Sequence, residues 1–212
     1  MNNRIAFPLA LVLTAAACSN LPRSRDLANP AVSGVTLAQQ VCSNCHGVSG
    51  DSVTPNVPKL AAQQREYLSA QLHVFRDQSR RDPAGFEYMW GISRSLTDRQ
   101  IDELADYYAR QQAPRPASAQ TSSTRERAHT LFTSGAPDHG VPPCASCHGD
   151  KAQGNGKYPR LAGQHADYIV KQLTVFQRTD ERPEGAVMKV VAHSLTPEDI
   201  QEAAGYLQGF AD

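Results

Sequence analysis

The hexapeptide VCSNCH at Val41–His46 contains two cysteines separated by two residues and followed at once by a histidine. The same arrangement returns about a hundred residues later in PCASCH at Pro143–His148. Two cysteines at this spacing are found in zinc sites, redox-active dithiols and disulfides. The histidine directly after them is typical of another chemistry, the covalent attachment of c-type haem.

The surrounding sequence favours haem over the other three uses. A zinc site needs further ligands in the same half, and there the only other histidine is His73, within a predicted amphipathic helix. A thioredoxin-like dithiol belongs to a βαβ unit, whereas no segment here alternates with the period of a strand. We therefore predict two haem c groups, each held by two thioethers and one axial histidine. The predicted attachment cysteines are Cys42, Cys45, Cys144 and Cys147, and the predicted axial histidines are His46 and His148.

The three methionines identify candidates for the opposite face of each haem. Met1 is the initiator, while Met89 and Met188 occupy matching positions downstream of the two motifs. A single methionine would be interpreted as core packing, but a duplicated one predicts an axial thioether ligand. Two filled axial positions favour electron transfer over oxygen binding.

The duplication extends well beyond the cysteines. PKLAAQQREYLSAQLHVF (Pro58–Phe75) aligns without a gap on PRLAGQHADYIVKQLTVF (Pro159–Phe176). The stretch MWGISRSLTDRQIDELADYY from Met89 likewise matches MKVVAHSLTPEDIQEAAGYL from Met188. The halves are separated by a Pro-, Ser- and Ala-rich segment that is typical of a linker. We assign residues 34–113 to a first domain, 114–124 to the linker and 125–212 to a second domain.

The periodicity of apolar residues predicts an all-α fold. Thr97 and Gln100 form a capping-box pattern ahead of an apolar stripe, and Thr196 precedes a proline at the first position of the equivalent helix. Further helices are predicted over residues 64–75 and 165–176, and shorter ones over 36–41 and 125–132. Each half is small, so a haem would supply much of the apolar body that its helices cover.

The first 17 residues have the features of an export signal, a basic start followed by an apolar run. The run is too short to span a bilayer as a helix. Cys18 is the one cysteine outside the two motifs, and a small residue precedes it as in a bacterial lipoprotein signal. Two alternatives stay open: lipidation of Cys18, with residues 18–33 as a tether, or ordinary cleavage after an Ala-x-Ala sequence.

Charge excludes some classes of partner. The 212 residues include 21 basic and 21 acidic side chains, which gives no net field to attract nucleic acid or an anionic membrane. Residues 19–113 carry 10 of each sign, and residues 114–212 carry 10 basic and 11 acidic side chains. Neither half therefore presents a strongly charged docking surface.

Taken together, these segments resemble the cytochrome c4 family, whose members have two class I cytochrome c domains. The resemblance rests on four segments of the first half, CSNCHG, PKLAAQ, YLSAQL and MWGISRSLTDRQIDELADYY. In the second half it rests on VPPCASCHGDKAQGNGKYPRLAGQHADYIVKQL and MKVVAHSLTPEDI. It implies that the backbone carbonyls of Pro58 and Pro159 accept hydrogen bonds from the axial histidines. It also implies a periplasmic location and two haems facing each other across the domain interface.

The same resemblance implies redox proteins as partners, with a quinol-oxidising complex as donor and a respiratory terminal oxidase as acceptor. Two other functions stay open: a cytochrome subunit of a dehydrogenase complex, and a di-haem oxidoreductase such as a thiosulfate dehydrogenase. An enzyme of that kind needs an open or unusually ligated iron. The first loop, GVSGDSVTPNVP, is poorer in glycine than is usual in the family, and the lipoprotein-like Cys18 is not general to it.

Overall fold

The computed structural model describes residues 23–116 and 122–210, so the predicted signal segment and Cys18 lie outside the described part. Within these ranges the chain is helical, and its only β pairings are two isolated bridges in the second half. This confirms the prediction of an all-α fold.

The first half contains five α-helices and two π-helical turns. A continuous helix begins at Gly34, passes through one π-helical turn and ends at His46, the first predicted axial histidine. The second π-helical turn leads directly into a short helix that begins at Trp90. The elements are α1 (Gly34–Leu37), the turn Ala38–Cys42, α2 (Ser43–His46), α3 (Arg65–Arg76), the turn Gly85–Met89, α4 (Trp90–Ser93) and α5 (Asp98–Ala109).

The second half repeats this order with small changes. Its first helix begins at Ser122, within the predicted linker, and a loop with a short 3₁₀ turn separates that helix from the CxxCH motif. The elements are α6 (Ser122–Ser134), the 3₁₀ turn Pro137–His139, α7 (Ala145–His148), α8 (Ala166–Arg178), the 3₁₀ turn Pro183–Gly185, α9 (Ala186–His193) and α10 (Pro197–Gln208).

The last helix of each half forms where its capping residues predict. Thr97 caps α5 in a capping box with Gln100, and Thr196 caps α10 with Asp199, with a proline at the first helical position. The predicted apolar stripes of both helices are buried. They consist of Ile101, Leu104, Ala105 and Tyr108 in α5 and Ile200, Ala203, Ala204 and Leu207 in α10.

The segment before α1 packs on the first domain. Leu27 and Val32 belong to the core that α1, α3 and α5 share. The side chain of Gln100 donates to the carbonyls of Asn29 and Val32, at 3.1 and 2.9 Å. The C-terminal part of the predicted tether, around Leu27–Val32, is therefore bound to the first domain.

The stretch from glycine to methionine is one residue longer in the first half than in the second. Gly85 and Gly185 lie against the rings of Phe75 and Phe176, but three residues separate Gly85 from Met89 and two separate Gly185 from Met188. The first half accommodates the extra residue in the π-helical turn, whose hydrogen bonds span one more residue than those of an α-helix. Met89 and Met188 consequently keep the same spacing to Thr97 and Thr196, which cap the last helix of each half.

The two halves are joined by reciprocal hydrogen bonds from a pair of equivalent glutamines. Gln63 donates to the carbonyl of Arg160 at 3.0 Å and accepts from its N–H at 2.6 Å. Gln164 donates to the carbonyl of Lys59 at 3.0 Å and accepts from its N–H at 2.9 Å. Lys59 and Arg160 occupy matching positions in the repeat, so the interface has local two-fold symmetry.

Replacing Gln164 by Leu should destabilise the interface by about 1–3 kcal/mol, because the N–H and C=O of Lys59 would lose their partners. Guanidinium denaturation of the haem-loaded protein, followed by absorbance and circular dichroism, measures the loss. Gln112→Leu, at an exposed position, is the matched control. Equal stability of the two variants would contradict the role assigned to Gln164.

Candidate functional site

Each CxxCH motif forms one turn of helix that places its three reactive groups on the same side. Cys42 caps α2, and Cys45 and His46 follow at the third and fourth positions beyond it. Cys144, Cys147 and His148 are arranged in the same way in α7. Because residues i, i+3 and i+4 share one face of a helix, both cysteine sulfurs and the imidazole can reach one planar group.

Both motif histidines are buried and held by a proline carbonyl. Nδ1 of His46 lies 2.9 Å from the carbonyl oxygen of Pro58, and Nδ1 of His148 lies 2.9 Å from that of Pro159. A carbonyl oxygen only accepts, so Nδ1 carries the proton and Nε2 keeps a free lone pair. These are the two contacts expected of Pro58 and Pro159 from the resemblance.

The protonation state of these histidines suits a metal ligand. Burial lowers the pKa of His46 and of His148, and the proline carbonyls only partly oppose it. The side chains are 8% and 6% exposed. A neutral imidazole with Nε2 free is the form that coordinates iron, and the bond at Nδ1 fixes the plane of the ring.

The cysteines do not resemble a redox dithiol. Burial raises the pKa of Cys42 and of Cys144 to about 11, whereas a reactive thiol requires a lowered pKa. Within the described residues, the four motif cysteines form no disulfide. The same residues contain no group of three or more His, Cys, Asp or Glu side chains that could hold a metal ion. The motif geometry thus suits the covalent attachment of a haem.

The predicted methionine ligands lie on the elements that precede the last helix of each half. Met89 ends the π-helical turn, and Met188 lies in the first turn of α9, partly buried against the core that contains Phe176. Iron ligation by Met89 and Met188 stays a prediction.

A buried polar cluster between the halves is a feature that the sequence analysis did not assign. Arg80 donates to the side-chain oxygens of Gln71 and Gln172, the latter at 3.2 Å. Arg182 donates to the same two oxygens, at 3.1 and 2.6 Å. All four residues are buried. Gln71 and Gln172 occupy matching positions in the repeat. The alignment therefore shows that both halves have this glutamine, but it does not indicate that the two side chains lie close together.

Each of these arginines has a carboxylate partner in its own half. Arg80 pairs with Asp82 at 2.7 Å, and Arg182 pairs with Glu184 at 2.8 Å. Burial would raise the pKa of Asp82, but the guanidinium of Arg80 outweighs it and the pKa is lowered. The cluster therefore combines two guanidinium groups with two carboxyl groups, one pair from each half.

The described residues form no helix with the length and apolar character needed to cross a membrane. Cys18, the candidate for lipidation, lies outside the described residues and stays a prediction.

Comparison with known proteins supports the haem assignment. Residues 31–111 and residues 126–210 each match the Cytochrome c family. The chain is 36% identical to a cytochrome c4 of Thiocapsa roseopersicina over 184 residues, which cover 84% of this chain and 91% of that protein. The crystal structure of reduced recombinant cytochrome c4 from Pseudomonas stutzeri superposes with a TM-score of 0.74 at 33% identity, covering 84% of this chain and 97% of that one.

A further relative has a name that points to a specific donor. The chain is 31% identical to the thiosulfate dehydrogenase electron acceptor of Thiomonas intermedia (strain K12) over 170 residues, 78% of this chain and 76% of that protein. The two matched segments correspond to the two halves of the repeat, each with its own CxxCH motif. With its two cytochrome c domains and two covalently bound haem c groups, the chain belongs to the cytochrome c4 family.

Proposed function

We propose that this protein is a periplasmic electron carrier that acts through both of its haems and has no substrate of its own. The observation that carries the proposal is the pair of buried, neutral histidines, each with Nδ1 bonded to a proline carbonyl and Nε2 free. A haem with two strong axial ligands supplies one-electron chemistry. The two proposed haem sites lie in halves that are held together by hydrogen bonds, as electron transfer between the haems requires.

The proposal assigns a role to each site residue. Cys42 and Cys45 hold the first haem and Cys144 and Cys147 the second. His46 with Met89, and His148 with Met188, provide the axial ligands. Pro58 and Pro159 orient the histidines through the carbonyl bonds already described.

The proposed partners are redox proteins. A quinol-oxidising complex is the proposed donor, and a respiratory terminal oxidase is the proposed acceptor. A dehydrogenase is the second candidate for the donor, favoured by the similarity to a thiosulfate dehydrogenase electron acceptor. A di-haem oxidoreductase would require an iron with an open coordination position. In the proposed arrangement, Met89 and Met188 occupy the sixth coordination position of both irons.

Replacing Met188 by Ala should leave the second haem attached but lower its reduction potential, because the thioether ligand is lost. The parent should have the weak near-infrared absorption of sulfur-ligated ferric haem, and its second haem should lose it in the variant. Spectroelectrochemical titration of both proteins measures the potentials.

Met188→Leu separates ligation from packing, since Met188 also contacts the core of the second half. Leucine keeps the volume without the sulfur, so it should lower the potential as alanine does. A leucine variant that titrates like the parent would make Met188 a core residue and leave the sixth ligand unassigned.

Docking to partners should depend only weakly on salt, because neither half carries appreciable net charge. The second-order rate of electron transfer to a membrane oxidase is measured from about 10 to about 150 mM salt, as the Debye length falls from about 30 to about 8 Å. A few-fold change is expected. A fall of about a hundredfold would indicate that clustered charges steer the encounter.

Lipidation of Cys18 should retain the mature protein on membranes. Cys18→Ser should then release a fully haem-loaded protein into the soluble fraction after cell breakage. Mass spectrometry of the mature N-terminus of the unmodified protein provides the direct reading. An unmodified protein that is soluble without detergent would favour cleavage after Ala-x-Ala.

A further inference from the structure

The residues that follow the two interface glutamines also cross between the halves. Gln64 caps α3 and reaches the loop after the second CxxCH motif, donating to the carbonyl of Gln153 at 2.8 Å and accepting from the N–H of Gly156 at 3.2 Å. His165, at the matching position, caps α8 and reaches the loop after the first motif. Its Nε2 lies 2.7 Å from the carbonyl oxygen of Ser52. The bonds to Gln153 and Ser52 are equivalent in the repeat, but Gln64 also accepts from Gly156, and of the two side chains only His165 can titrate.

The contact fixes which nitrogen of His165 gains and loses a proton. The carbonyl of Ser52 only accepts, so Nε2 keeps its hydrogen in both protonation states and Nδ1 is the titrating atom. The imidazolium can donate the same bond as the neutral ring. Protonation therefore changes the charge at this point of the interface without breaking the contact.

Ser52 links His165 to the segment that holds the first haem. Ser52 is 3% exposed, and its hydroxyl donates to the carbonyl of Cys45 at 3.2 Å. Cys45 is a predicted attachment residue and directly precedes His46. Two successive hydrogen bonds thus connect a titratable group of the second half to the attachment segment of the first.

We propose that His165 is a tuning residue through which the second domain makes the reduction potential of the first haem dependent on pH. The proposal rests on the assignment of that haem to Cys42, Cys45 and His46. A positive charge on His165 would stabilise the reduced haem, which is less positive than the oxidised one. Gln64 at the equivalent position cannot supply such a charge to the second haem.

The charges around His165 fit a group that titrates on the acidic side. The charged groups that face it are Lys59 and Asp51, which pair with each other at 2.9 Å, and Asp167 in the first turn of α8. Burial lowers the pKa of His165, and Lys59 lowers it further. The Ser52 carbonyl and the two carboxylates oppose this without cancelling it. The imidazolium of His165 consequently becomes the main form only at a pH below the usual pKa of histidine.

The coupling is reciprocal by thermodynamic linkage. When the first haem gains one electron from a donor protein, Nδ1 of His165 takes up a fraction of one proton from solvent, and oxidation releases it. No covalent bond other than N–H forms or breaks. The potential should rise as pH falls through the pKa of His165 and should be flat above it, with a several-fold higher proton affinity in the reduced protein.

The direct test is the pKa of His165 in the haem-loaded protein, followed by NMR of its ring protons in the fully oxidised and fully reduced states from about pH 5 to about pH 8. A higher pKa in the reduced state is expected. An identical pKa in the two states would overturn the proposal. Such a result would not affect the assignment of the axial ligands, because the absorption spectra of the haems test that assignment separately.

His165→Gln is the matched variant, since it installs the residue that the first half uses at the equivalent position and can retain the bond to Ser52. Spectroelectrochemical titration over the same pH range should give a first-haem potential that no longer rises at acidic pH. A pH dependence that survives unchanged in this variant would overturn the proposal. The converse variant, Gln64→His, should introduce an acidic rise at the second haem and thereby assign the effect to the interface position.

Discussion

The hydrogen bond from histidine Nδ1 to a proline carbonyl is the constraint on which each half of this protein depends. It closes the loop after the CxxCH motif, from His46 to Pro58 and from His148 to Pro159, onto the helical turn that carries the cysteines. The imidazole then has one orientation, one tautomer and one free nitrogen. The interface glutamines Gln63 and Gln164, and the helices α3 and α8 that follow them, come shortly after these bonded prolines in the chain.

The interface follows from the same geometry because it starts one residue after each proline. Gln63 and Gln164 bind the backbone of Arg160 and Lys59, the residues directly after Pro159 and Pro58. The contact between halves is thus attached to the segment that orients each proposed axial histidine. Two haem sites connected in this way are held at a fixed relation, which suits electron exchange inside the molecule and also permits a side chain of one domain to influence the haem of the other.

Much of this architecture was predictable from local patterns. The capping boxes at Thr97 and Thr196, the apolar stripes behind them and the duplicated motifs are local in sequence, and their spacing specifies the structure. The Arg80 and Arg182 cluster was not predictable, because it depends on how two halves dock. The π-helical turn that ends at Met89 also escaped prediction, since the extra residue between Gly85 and Met89 fits a longer loop equally well. The contact of His165 was not predictable either, because its counterpart in the first half is Gln64, and the repeat pattern alone does not indicate that either side chain reaches the opposite half.

The reciprocal glutamine bonds have a consequence for how a duplicated chain can diverge. Each amide binds the main chain of the opposite half, which every amino acid except proline presents with the same donor and acceptor. The residues so bound, Lys59 and Arg160, can therefore change without loss of these bonds, as their own difference illustrates. The charge, size and titration of side chains at the interface can therefore change in one half alone. The two haem sites of a duplicated chain can thus acquire different properties while the glutamine bonds between the halves are kept.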